Sequence, residues 1–165
     1  IAKQAAAVFA DAQSATRAAV VEKFTPALTL TGDATKGKAM FAQVCISCHK
    51  LDGVGLELGP DLRSVVQHDA EKLMNSILDP SAIIEPGFMA YNCTLKSGEQ
   101  LYGVIATETS ASLTLKMAGN LTKSVLRSEI ASLQSTGTSL MPEGLEAALT
   151  PQSLADLIAY LKVVK

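Results

Sequence analysis

Between Cys45 and Lys50 the chain reads CISCHK, two thiols three positions apart with an imidazole directly after the second. Three chemistries compete for that spacing. A thioredoxin-like redox pair belongs in a βαβ context, whereas this motif follows a segment that reads as helix. A structural zinc site usually draws four soft ligands in two pairs. The spare donors here, Cys93 and His68, stand at no zinc-like spacing. The third chemistry is covalent attachment of a c-type haem. Each thiol can add across one vinyl group of the porphyrin, and the imidazole of His49 then stands under the iron as an axial ligand. The third fits its surroundings best.

Further residues support a haem. Gly59-Pro60 lies a short loop beyond His49, and a proline carbonyl there can accept the other imidazole N–H. Bonds of this kind set the tautomer and strengthen the ligand. For the far side of the iron, the chain offers five methionines. Met40, Met74, Met89 and Met117 fall in segments where packing is the simplest role. Met141 sits in GTSLMPEG, where Pro142 biases it away from helical geometry and lets its thioether project from a loop. Met141 is therefore the expected sixth ligand, with His68 the main rival and an open or water-bound iron the remaining option. A His/Met pair raises the reduction potential, and a closed six-coordinate iron favours electron transfer over catalysis. Arg63, just past the GPDL run, is a candidate partner for a haem propionate, or else a solvated surface side chain. Cys93 reads as a buried small hydrophobe, with an intermolecular disulfide as its alternative.

The elements that must position these groups are partly legible. Residues 3–23 read as an Ala-rich helix that Pro26 and Gly32 end. Asp33 or Thr35 caps a helix running to about Cys45. LDGVGLELGPDLRS reads as loop. HDAEKLMNSILD reads as a helix with Leu73, Met74, Ile77 and Leu78 on one face, stopped at Asp79-Pro80. From Gly87 the period changes. Short runs rich in Val, Ile, Tyr and Thr, separated by KSGE and AGN, predict four or five antiparallel strands over about 87–134. STGTS reads as a connection. Pro142 opens a short helix and Pro151 a last one, with Thr150 placed to cap it. Gly37 and Phe41 are expected to meet Leu157, Tyr160 and Leu161 of that last helix.

Composition narrows the partners. The 165 residues are 48% hydrophobic and 18% charged, carry a net charge of −2, and contain no Trp. A sizeable core is possible, and the absence of a basic block argues against nucleic acid. No apolar run reaches the roughly 18 residues of a membrane span, and no charged-then-apolar leader is visible. Starting at Ile1, the chain is expected to be a mature form or an excised piece of something longer.

GDATKGKAMF, CISCHK, LGPDL, the late SLMP and the terminal LIAYL together resemble class I cytochrome c. CxxCH, GPDL, ILDPSA, MPEGLE and LIAYL are closer still to the planctomycete/verrucomicrobial-type haem-binding domain. The resemblance covers about residues 31–165. It implies one covalently attached haem c, His49 proximal and Met141 distal. It also implies a mainly α cytochrome c fold, here with a small antiparallel β-sheet inserted between the third haem-domain helix and the Met-ligand loop. Residues 1–31 would form an N-terminal helical extension and 32–165 the haem domain, interrupted at about 87–134. In that family the module often ends a larger chain, sometimes behind a propeller or helical repeats.

The expected function is a non-enzymatic monohaem carrier in the periplasm or another exported compartment. It would pass single electrons from a donor dehydrogenase to an acceptor oxidase or cytochrome. Cys45, Cys48, His49, Pro60, Arg63 and Met141 would serve the haem. The rivals are a haem-based sensor or small-molecule haem enzyme with a displaceable sixth ligand, and an interaction module that the haem merely staples.

Overall fold

The computed structural model describes residues 16–163. The expected N-terminal helix is helical over 16–24 (α1); its first part lies outside the described residues. α2 spans Ala34–Val44, and the Asp33 carboxylate caps it, accepting from the N–H groups of Thr35 and Lys36. α3 spans Ala70–Leu78, capped by Asp69 through the Lys72 N–H at 2.7 Å. α4 spans Pro151–Val163. Thr150 Oγ1 accepts from the Ser153 N–H at 3.1 Å at its start. Each cap satisfies a donor that the first helical turn leaves orphaned.

α2 and α4 cross closely because Gly37 has no side chain. A Cβ there would stand 2.8 Å from Cβ of Tyr160 and still nearer the Asp156 carbonyl. Phe41 packs its ring on Tyr160, centroids 5.8 Å apart. Asp156 is buried at this crossing, and its Oδ1 accepts from the Asp33 N–H at 2.8 Å and from Gln152 at 2.9 Å. A buried carboxylate persists because its lone pairs are used. Around this pair Phe24, Leu51, Leu73, Met74, Leu154 and Leu157 form the helical core.

LDGVG is not simple loop. Lys50–Leu51 (β1) and Val54–Gly55 (β2) pair as a small hairpin. Asp52 and Gly53 both have positive φ, 53° and 76°, as a two-residue Asp-Gly hairpin turn requires.

Five further strands follow: β3 (Met89–Leu95), β4 (Gln100–Glu108), β5 (Ser112–Met117), β6 (Leu121–Leu126) and β7 (Ile130–Ser139). They make one antiparallel sheet in the order β6-β5-β4-β3-β7. The sheet has its own core of Cys93, Leu101, Leu113, Leu115 and Val125. This corrects the mainly α expectation. Strand makes up 28% of the structure, so the fold is mixed α/β rather than a class I cytochrome c fold with a small insert. Part of the reason is that STGTS, Ser- and Thr-rich with a glycine, is strand and not connection. It completes β7, whose Ser139 pairs with Met89 across an irregular register.

Candidate haem site

The CISCH motif closes α2. Cys45 is its C-cap, donating its N–H to the Phe41 carbonyl. Cys48 and His49 N–H groups both return to the Cys45 carbonyl, at 3.1 and 2.9 Å. This turn sets both thiols and the imidazole on one cleft of about 1290 Å³, counting its open mouth. Aliphatic side chains from Leu58, Leu73, Ile77, Leu157 and Leu161 dominate its walls.

His49 is held from behind. Its Nδ1 lies 3.0 Å from the Pro60 carbonyl. A carbonyl only accepts, so Nδ1 carries the proton and Nε2 keeps a lone pair. The Leu58 and Gly59 N–H groups donate to the Cys48 carbonyl, at 3.1 and 2.8 Å. They fold this segment against the motif. Gly59 forms a cradle for the ring: a Cβ there would come 2.5 Å from Cε1 of His49. Burial pushes the imidazole's pKa down, partly offset by the Pro60 bond. A neutral ring with one lone pair available is what a metal needs.

The Cys45 thiol is unlike the reactive member of a redox pair. Burial, and then the neighbouring Cys48, push the Cys45 thiol up to about 11. Reactive CxxC pairs show roughly 3.5–7.5. None of the three cysteines is in a disulfide, and Cys93 is buried in the sheet core. Among the described residues no three His, Cys, Asp or Glu side chains cluster as a metal site would need. The donor set fits the tethered-haem reading and neither alternative.

The other sequence candidates are placed as follows. Met141 alone of the five methionines lines the cleft; Met74 is buried in the helical core and Met117 packs against the sheet core. Pro60 lines it too, whereas Arg63 does not. Arg63 is exposed, and its Nη2 donates to Asp61 at 2.6 Å. That bond first, and the Arg63 N–H second, pull the Asp61 carboxyl down to about 2. His68 is at the cleft, with Lys72 Nζ 3.0 Å from its Nε2.

The sheet supplies part of the wall, though not through Tyr91 or Tyr102, the sheet residues the sequence offers. Val104 of β4, 3% exposed, and Ser139 of β7 both line the cleft. Lys116 of β5 donates to the Glu57 carbonyl at 3.0 Å, tying the sheet to the segment beside the motif. No local signal marks Val104; a strand valine is indistinguishable from its neighbours until the sheet is docked.

A family model described as Cytochrome c matches residues 34–165. The chain belongs to the cytochrome c family. A search of curated proteins found no match. Cytochromes c bind covalently attached haem c, and the Cys45–Cys48 pair followed by His49 fits the CxxCH motif. The haem supplies one-electron chemistry at its iron. This cytochrome is accordingly a haem-binding electron-transfer protein that works with redox partners. None of its described helices is long and apolar enough to cross a membrane.

Proposed function

We propose that this cytochrome carries single electrons with its iron held between His49 and Met141. Cys45 and Cys48 supply the thioether tethers and Pro60 orients the proximal ring. The observation that carries this reading is the convergence of both thiols, the imidazole and Met141 on one apolar cleft. The chain's own residues do three things there. The Pro60 carbonyl fixes the tautomer of His49. The aliphatic walls exclude water, and a neutral sulfur ligand in dry surroundings favours the reduced state and raises the potential. Val104 and Ser139 bring the sheet up as a further wall.

The donor in this proposal is a dehydrogenase and the acceptor an oxidase or another cytochrome, in the periplasm or another exported compartment. The resemblance to the planctomycete/verrucomicrobial-type domain supports a place beside a larger dehydrogenase-like unit. Visible spectra of both oxidation states test the core of the reading. A haem c spectrum when reduced and a weak far-red sulfur-to-iron band when oxidised are expected. Rapid stoichiometric CO binding to the reduced protein would instead identify a sensor or enzyme with an open iron.

A further inference from the structure

Two charged side chains are buried among the described residues, Arg17 and Asp156. Asp156 serves the start of α2, as described. Arg17 has no such local duty. It reaches from α1 to two distant places at once. Its Nη1 donates to the Leu78 carbonyl at 3.1 Å, at the end of α3. Nη1 and Nη2 together grip both carboxylate oxygens of Glu146. The Glu143 carboxylate stands 4.0 Å from Nε. Glu143 and Glu146 belong to the same MPEGLE segment as Met141.

The other flank of that segment is tied to the same spot. The Met141 N–H donates to Ser139 Oγ at 3.1 Å, and the Ser139 N–H donates to Ser81 Oγ at 3.3 Å. Ser81 lies in the turn just past α3. Thus both ends of the 139–146 loop hang on the C-terminal end of α3, one through a serine relay and one through a guanidinium. Between the tethers the loop carries exposed Pro142 and Gly144 with φ 93°.

We propose that Arg17 is a positioning residue for Met141, its bridge from Leu78 to Glu146 confining the loop so that the thioether stays in the cleft. This rests on the His49/Met141 ligation proposed above. A thioether is a soft, neutral ligand, so oxidised iron keeps it chiefly because the loop offers few other positions. A planar fork suits the task, because it can address two carboxylate oxygens and a carbonyl together. Losing it frees the downstream flank and enlarges the fraction of molecules whose iron is open. The apparent affinity of any competing ligand rises with that fraction.

The test is titration of the oxidised holoprotein with imidazole, following loss of the far-red band. Arg17→Gln and, from the loop's side, Glu146→Gln are each expected to tighten apparent imidazole binding about tenfold. Arg17→Lys, a charge without the fork, should fall between them and the wild type. Gly32→Ala is the stability control: its Cβ would stand 2.8 Å from Cβ of Ala159, neither residue lines the cleft, and it should lower Tm while leaving the titration unmoved. Wild-type imidazole affinity in both Gln variants overturns the proposal, as does an equal shift in Gly32→Ala. If the wild type itself lacks the far-red band, the ligation reading fails and this one with it. A band present with unshifted titrations sinks the positioning role alone.

Discussion

The imidazole of His49 lies against the backbone of Gly59, so close that a Cβ there would be 2.5 Å from Cε1. Gly59 has no positive φ, so its smallness rather than its backbone freedom is what the site uses. The ring is thereby pinned between a glycine and the Pro60 carbonyl.

Gly59→Ala should therefore move the imidazole, not strain the chain. Overpacking of this kind costs about 1–3 kcal/mol. The expected result is a lower Tm together with a shifted reduction potential. A variant that loses stability but keeps the wild-type potential would show that the ring had not moved.

The helix crossing makes a purely structural prediction. Gly37→Ala places a methyl against the Asp156 carbonyl and 2.8 Å from Cβ of Tyr160. Neither backbone nor a packed Cβ gives way cheaply, so a loss of about 2 kcal/mol or more is expected in denaturant unfolding. The haem spectrum of the folded fraction should be unchanged, because Gly37, Asp156 and Tyr160 do not line the cleft.

Val104 tests the sheet's part in the site. It is 3% exposed and faces the cleft. Val104→Thr keeps the shape and adds a hydroxyl dipole. A polar group beside the haem stabilises the charged oxidised state, so the midpoint potential should fall. An unchanged potential would mean that the sheet stands too far from the ring to set its surroundings.

Acid should loosen the Arg17–Glu146 bridge. The hydrogen bonds from Arg17 hold the Glu146 carboxyl below its ordinary value. The folded protein thus takes up this proton less readily than the unfolded chain. The stability it contributes is complete above the unfolded carboxylate value of about 4.3, and is lost as pH falls through the lower folded one. The Tm gap between wild type and Glu146→Gln should be widest near neutrality and shrink progressively below about pH 4. A gap independent of pH would show that the bridge contributes nothing linked to this proton.

Features that depend on neighbours in sequence were open to reading. Asp33, one of the two caps the sequence offers for α2, reaches orphan amides two and three residues on by local geometry alone. Gly37 and Phe41 announced a close crossing because their sizes differ so sharply. The strands of the sheet could be found run by run. Their collective weight could not, since turn-forming composition in STGTS reads as loop until a partner strand claims it. The Asp52-Gly53 pair is a known hairpin signal, but it stands among other glycines in a stretch that reads as loop.

By itself, then, the order of residues determined the chemistry on offer: two thiols and an imidazole on one turn, a carbonyl from Pro60, a methionine beside a proline. These are short-range facts, set by covalent spacing. Only the tertiary structure decided that Val104 closes the cleft and that Arg17 grips Glu146 across more than half the described chain. Such contacts arise from how packed layers dock, and burial energy is non-directional, so no local pattern specifies which distant side chain it brings to the site.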